Sequence, residues 1–234
     1  MNRRTLLATL AAGGTVSLAG CSQQTNFTTE PTGLSGDARI NLSYEISSYA
    51  PYQTQRELEA GPLSQDIQIL LHVALYESQG SSVEEVNGVG FITLPTVTVG
   101  GRSLNPLSSA GPEEIVSLFA QTTSQFDAND LEVVETYSQN FGLTDSEEEE
   151  VTVMRTQVSS SIVEVYLRIH VATLQISEDT EVYVIGFHIE DQSSARMLVQ
   201  KAFEVAVNPS EELQNQDVEP RQLSELLGGS SVSM

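Results

Sequence analysis

Position 21 holds the only cysteine in the chain, and the residues before it indicate what its thiol can do. Leu18, Ala19 and Gly20 lead into Cys21, and a lipobox has this form, with a small residue before a cysteine whose thiol takes a lipid. The alternative is a buried thiol that merely follows an apolar helix, because an isolated cysteine is by itself a weak signal. Its place at the end of an apolar segment favours the first reading, so we predict a lipid on Cys21.

Two arginines near the start of the chain complete an export signal. Arg3 and Arg4 stand directly before an apolar run, which is the layout of a twin-arginine signal. The run from Leu6 to Leu18 is uncharged and shorter than the roughly 20 apolar residues that span a bilayer, so it is typical of a signal peptide. We predict a signal peptide over residues 1–20 and a mature protein held by its lipid on the extracytoplasmic face of the cell membrane.

Histidine is the second residue type that offers chemistry. Strand-like stretches on either side of a turn at residues 177–181 predict a hairpin, whose register should keep apolar residues on one face. Pairing Ile176 with Val182 meets that condition and sets His170 directly opposite His188. We therefore predict that these two histidines are neighbours on one face of a sheet and that both are partly exposed.

Such a pair is half of a metal site, but zinc needs three or four protein ligands. Only Glu164 or the remote His72 suggests itself as a third ligand. We therefore predict that the histidine pair binds no metal, and that the flanking Arg168 and Glu190 form an ion pair across the two strands. The sequence assigns no catalytic residue, no metal ligand and no cofactor.

The remaining chemistry lies in scattered carboxylates and serines. The run from Glu147 to Glu150 lacks the ligand spacing of a calcium loop and is typical of a solvated acidic turn. The sequence has no Gly-x-Ser-x-Gly elbow and no glycine loop followed by Lys-Ser or Lys-Thr. Two function classes stay open. One is a non-enzymatic binding or assembly module that contacts an envelope protein or a small ligand, which the missing catalytic residues favour. The other is a hydrolase or metal-dependent enzyme whose site is assembled from residues distant in sequence.

The net charge of the chain indicates the salt concentration at which the protein works. There are 10 Lys+Arg against 32 Asp+Glu, a net charge of −22, and cleavage before Cys21 would leave 8 against 32, or −24. This charge repels nucleic acid and anionic lipid headgroups, so neither is an expected partner. A hydrophobic fraction of 39% with strand periodicity argues against disorder. At molar salt the Debye length is about 3 Å, which screens the self-repulsion, so we predict a halophilic protein.

Polar segments flank the predicted domain. Residues 21–37 show no periodicity and predict a flexible tether. A single domain should span residues 38–209. Residues 210–234 should form a polar tail with a short helix from Pro220 to Leu227.

The elements of the domain follow from periodicity and capping residues. Strands are predicted where apolar and polar residues alternate or β-branched residues cluster, over residues 38–47, 66–77, 86–99, 131–140, 149–158, 162–176 and 181–190. One helix begins at Pro112, and a second is capped by Ser193 and ends near Val207. This order predicts an α+β fold, an antiparallel β-sheet covered by two main helices.

Several of these features together resemble an uncharacterised family of haloarchaeal lipoproteins. They are the arginine pair, the lipobox, the acidic body and the stretches FITLP at residues 91–95 and GRSLNPL at residues 101–107. The resemblance covers most of the chain from residue 38 to about residue 209, and it implies an outer-surface lipoprotein with a domain of unknown function. The order of elements is also similar to the PsbP-like fold of photosystem extrinsic subunits, and such a likeness of topology carries no function.

Overall fold

The structure is a computed structural model that describes residues 24–60, 63–78, 87–99, 102–123, 130–145, 148–159 and 164–226. In chain order its strands are β1 (Gln24–Phe27), β2 (Gly33–Leu34), β3 (Tyr44–Ala60), β4 (Leu63–Ser78), β5 (Asn87–Pro95), β6 (Thr98–Val99), β7 (Arg102–Ser103), β8 (Glu132–Gln139), β9 (Glu149–Ser159), β10 (Glu164–Ser177), β11 (Thr180–Ile189), β12 (Ala206–Val207) and β13 (Arg221–Gln222). Its helices are α1 (Gly36–Leu42), α2 (Pro112–Thr123), α3 (Ser193–Glu204), α4 (Glu211–Gln214) and α5 (Leu223–Leu226).

One nine-stranded mixed sheet dominates the molecule. Its strands lie in the order β13-β3-β4-β5-β11-β10-β9-β8, and β1 pairs with β4 in addition. The long strands pair antiparallel, whereas β1 pairs with β4 and β13 pairs with β3 in parallel. The prediction of a purely antiparallel sheet is therefore wrong, because two short strands of polar sequence join it from outside the periodic stretches.

The predicted covering by two main helices is also wrong. The fold is mostly β with a few short helices, and α2 and α3 have only 12 residues each. Each therefore spans about 18 Å. Eight strands side by side extend over about 35 Å, since neighbours lie 4.7–4.9 Å apart. Helices of this length cannot cover the sheet.

The two faces of the sheet carry separate apolar clusters. Leu75 of β4 points to the cluster that contains Phe119 of α2, and the next residue, Tyr76, belongs to the cluster that contains Phe203 of α3. This alternation is the period of two expected for a strand that is buried on both faces. The helices α2 and α3 thus pack on opposite faces.

The chain around residues 35–43 differs from its predicted strand. The backbone N–H of Ala38 donates to the Ser35 hydroxyl at 3.2 Å, which caps helix α1, and Ser43 ends the helix with a left-handed φ of 57°. The predicted strand from residue 38 is wrong here, because the local capping residues select a helix where alternation alone fits a strand.

The predicted tether, residues 21–37, is correspondingly shorter. Residues 24–27 form β1 on the sheet, and the Thr32 N–H donates to the Thr93 hydroxyl at 3.0 Å. The amide of Asn208 donates to the Glu30 carbonyl at 2.9 Å. This segment is therefore held on the domain from residue 24 onward.

The predicted C-terminal tail also contributes to the fold. β13 adds to the sheet beside β3, and Leu223 of the short helix α5 is buried in the cluster on the α2 face. The predicted short helix from Pro220 to Leu227 is wrong at its start, because residues 221–222 form β13 and helix α5 begins at Leu223.

Candidate functional site

The hairpin of β10 and β11 differs from the predicted register by two residues. His170 pairs with Gly186, and Arg168 pairs with His188. The strands are joined by a tight turn that pairs Ser177 with Thr180, with an irregularity just before it, whereas the prediction assumed a longer turn. The predicted register is wrong, but a shift by two residues leaves every side chain on its predicted face. The prediction that the two histidines are neighbours on one face is confirmed.

The histidines form a direct hydrogen bond. Nε2 of His170 lies 3.0 Å from Nε2 of His188. The prediction of partial exposure is wrong, because His170 is 1% exposed and His188 is 3% exposed. We call these two residues the histidine dyad.

The partners of the other ring nitrogens determine where the protons lie. Nδ1 of His188 is 2.8 Å from the Ile189 carbonyl, which can only accept, so this nitrogen carries a proton. A neutral His188 then accepts at Nε2 from the Nε2–H of His170. His170 consequently accepts at Nδ1 from the Tyr137 hydroxyl, which lies 2.9 Å away. All four ring nitrogens of the dyad are therefore engaged.

This geometry suits a hydrogen bond better than a shared metal ion. The two ring centroids are 5.1 Å apart while the two nitrogens are 3.0 Å apart, so the nitrogens point towards each other. Zinc–nitrogen bonds are about 2.0–2.1 Å long, so a metal on the line between them needs about 4 Å of separation. Within the described residues no group of three or more His, Cys, Asp or Glu side chains is placed to hold a metal ion.

The dyad lies at the wall of a pocket of about 280 Å³ on the α3 face of the sheet. The walls come from β8, β9, β10, the end of β11 and the first turn of α3. Its polar lining includes Glu135, Arg168, Glu190, Asp191, Ser193 and Arg196.

Glu190 organises one side of this pocket. It accepts from Arg168, which confirms the predicted ion pair, and also from Nε of Arg155 at 3.0 Å. The Arg155 guanidinium is held further by the Tyr166 ring, whose centroid is 3.7 Å away. One carboxylate thus serves two guanidinium groups on this side of the pocket.

Arg196 of α3 closes the opposite side. Its guanidinium donates to Glu135 of β8 at 2.9 Å and lies 5.5 Å from the centroid of the Tyr137 ring. Arg196 therefore links the first turns of α3 to the outermost strand of the sheet. Tyr137, which ends the hydrogen-bond chain of the dyad, lies beneath it.

The start of α3 turns towards the same pocket. Asp191 adopts a left-handed φ of 71°, which asparagine and aspartate tolerate better than other side chains. The predicted cap at Ser193 is wrong, because Ser193 is the first residue of the helix and the capping residue is Gln192, whose side chain makes no capping hydrogen bond. The helix ends at Glu204 rather than near Val207. The positive end of the helix dipole thus lies at the pocket.

The other residues singled out from the sequence lie elsewhere. The lipid-attachment residue Cys21, the lipobox residues Leu18, Ala19 and Gly20, and the arginines Arg3 and Arg4 fall outside the described residues, as does Glu147. His72 contacts the N-terminal segment, with Nε2 2.9 Å from the Thr29 carbonyl and Nδ1 2.9 Å from the Tyr49 hydroxyl.

Sequence reasoning missed Tyr137, Arg155 and Arg196. The usable signal was the rarity of basic residues, since three of the 10 in the chain surround this pocket.

Stability is expected to depend on pH through the dyad. Burial, His188 and the nearby Arg196 and Arg168 lower the pKa of His170 to about 3. The unfolded chain binds a proton near pH 6.5 and the folded chain does not, so the free energy of unfolding is greatest above that pH. It should fall by about 2 kcal/mol between pH 6.5 and pH 5 from this residue alone. Urea unfolding of the wild type and of His170→Gln across this range measures it. Equal slopes for both proteins would contradict the assignment.

Comparison with known proteins gives one family. A family model described as a domain of unknown function, DUF6517, matches residues 31–220. No curated protein and no solved structure matches the chain. None of the helices in the described part of the chain has the length and apolar character needed to cross a membrane.

Proposed function

The chain belongs to the DUF6517 family, and from this premise we propose that it is a membrane-anchored extracytoplasmic lipoprotein of a halophile that binds a small ligand in the pocket beside the histidine dyad. The proposed anchor is a lipid on Cys21, and the proposed export signal is the pair Arg3 and Arg4. The acidic composition and the resemblance to haloarchaeal lipoproteins support this setting.

One observation favours binding over catalysis. Each ring nitrogen of His170 and His188 already has a hydrogen-bond partner within the protein. A general base must present a free lone pair within hydrogen-bond reach of the proton that it removes. The dyad offers none to a molecule in the pocket, because Nδ1 of His170 is freed only when the Tyr137 hydroxyl turns. We therefore propose recognition rather than catalysis for this pocket.

The proposed anchor predicts a complete change of location for Cys21→Ser. A lipid with two hydrophobic chains is needed for stable attachment, because a single chain gives only marginal membrane binding. The variant should remain unprocessed or be shed into the medium, whereas Ser22→Ala should stay in the membrane fraction. Fractionation followed by mass spectrometry of the N-terminus measures both. A Cys21→Ser protein that is correctly cleaved and still tightly membrane-bound would contradict the proposal.

The proposed ligand site is tested on protein taken from its own membranes. Wild type purified at molar potassium chloride should release a small molecule on denaturation, detectable by mass spectrometry. Arg168→Gln should lose it, because Arg168 lines the pocket. Arg39→Gln is the matched control, since Arg39 also pairs with a glutamate, Glu212 at 3.1 Å, but on helix α1. Equal retention by both variants would refute the site, and turnover of the released molecule by the wild type would assign the protein to enzymes.

A further inference from the structure

We propose that the pocket beside the histidine dyad binds a small carboxylate anion together with one proton, which the dyad takes up. This inference rests on the proposed binding function and specifies its ligand class.

The arrangement of charge supports an anion. Arg155 and Arg168 share the single carboxylate of Glu190, whereas Arg196 on the helix side is paired with Glu135. The charged and titratable groups that face the dyad are Glu135 and Tyr137 from β8, Arg155 from β9, Arg168 from β10, Glu190 and Asp191 after β11, and Arg196 from α3. Asp191 is exposed at the start of α3, whereas the arginine pair on Glu190 is partly buried. Planar, bidentate recognition by guanidinium groups selects carboxylates over spherical anions such as chloride.

The hydrogen-bond chain can accept one proton without losing a contact. In the neutral chain Tyr137 donates to Nδ1 of His170, and His170 donates through Nε2 to His188. A proton from solvent that arrives at Nδ1 of His170 reverses only the first bond, because the Tyr137 hydroxyl can turn and accept. A second proton would place two N–H groups face to face at 3.0 Å. The dyad therefore has a capacity of one proton.

Carboxylate binding and protonation of the dyad are each expected to make the other more favourable. Besides burial, Arg196 and Arg168 lower the pKa of both histidines, and they outweigh Glu190, which raises the pKa of His188, so the dyad lies in positive potential. A bound carboxylate offsets that potential and raises the pKa of the dyad. By linkage, protonation must strengthen carboxylate binding by the same factor.

Histidine-ring NMR tests this directly, because the chain has only 3 histidines and His72 lies at a separate site as an internal reference. Potassium trifluoroacetate is exchanged for potassium chloride at constant potassium concentration, because its carboxylate stays ionised at the low pH at which the dyad titrates, whereas acetate would be protonated there. Trifluoroacetamide serves as the neutral isostere. Trifluoroacetate should raise the titration midpoint of His170 and His188 by about one pH unit, as expected for a charge a few ångströms away. The midpoint of His72 should stay in place, and trifluoroacetamide should have no effect.

Variants separate the two levels of the proposal. Arg168→Gln and Arg196→Gln should each weaken trifluoroacetate binding about tenfold, whereas Arg39→Gln should retain it. A trifluoroacetamide effect equal to that of trifluoroacetate, an equal shift of His72, or an unmoved dyad would each overturn the carboxylate inference. The binding function would still stand if the molecule released from wild-type protein proved neutral or cationic and was lost in Arg168→Gln. If no variant lost a bound molecule, both the binding function and the carboxylate inference would be overturned.

Discussion

Replacing Gly90 with alanine is expected to lower the free energy of unfolding by about 3 kcal/mol. The added Cβ would lie 2.1 Å from Cε2 and 2.2 Å from Cζ of the Phe119 ring, which is itself fully buried in the cluster on the α2 face. Inserting atoms into a close-packed core costs roughly 1–3 kcal/mol, and more where the neighbour cannot move. Urea unfolding at molar potassium chloride measures the loss.

Two further variants identify the cause. Gly111→Ala is the matched control, because an added Cβ there would meet nothing within 4 Å, and its change should stay within about 0.5 kcal/mol. Gly90→Ala combined with Phe119→Leu should cost less than the sum of the single changes, since the smaller side chain makes room. Strict additivity would show that the ring is not the obstacle. A Gly90→Ala protein as stable as Gly111→Ala would refute the close contact itself.

The thermal midpoint is expected to rise by about 10 °C or more between dilute buffer and molar potassium chloride. A net charge of −22 on 234 residues repels itself, and molar salt shortens the Debye length from tens of ångströms to about 3 Å. Relief of about 4 kcal/mol shifts the midpoint of a domain of this size by roughly 10 °C. Differential scanning calorimetry over a potassium chloride series measures it.

Sucrose at equal osmolality is the control for this prediction. It strengthens burial because it is excluded from the protein surface, but it does not screen charge. Its effect should therefore be much smaller than that of potassium chloride. Equal effects, or a midpoint insensitive to salt, would show that the acidity does not govern stability.

The long strands could be predicted from the sequence because their signal is local. β4 and β11 are rich in apolar and β-branched residues because both of their faces are buried, and every residue of these strands records that burial. The short edge strands could not be predicted in this way. β1 has the polar sequence QTNF, and its pairing depends on a partner about 40 residues away. Helix α1 was missed because Ile40 and Leu42 fit an alternating pattern, while Ser35 and Ser43 decide the local conformation.

The candidate site was predictable only in part. The sequence predicts that His170 and His188 are neighbours on one face of the sheet, because side chains alternate between the two faces along each strand. An error of two residues in the register does not move a side chain to the other face. Tyr137 comes from a strand 33 residues away, and Arg196 comes from a helix on that face. No local pattern connects them to the histidines. Their placement depends on how β8 and α3 meet, which is a property of the assembled fold.

The position of β1 affects how the domain would be oriented relative to the membrane. Three residue steps separate Cys21 from Gln24, a reach of at most about 10 Å, so a lipid on Cys21 would leave the domain little freedom to drift from the bilayer. Gln24 of β1 pairs with Asp66 near the start of β4. His188 of β11 pairs with Asn87 of β5, which lies next to the end of β4. Twelve residue steps along β4, from Asp66 to Ser78, separate these levels, which corresponds to about 40 Å. The anchored end and the pocket would therefore lie at opposite poles of the sheet, and the pocket would open to the surrounding medium rather than to the headgroups.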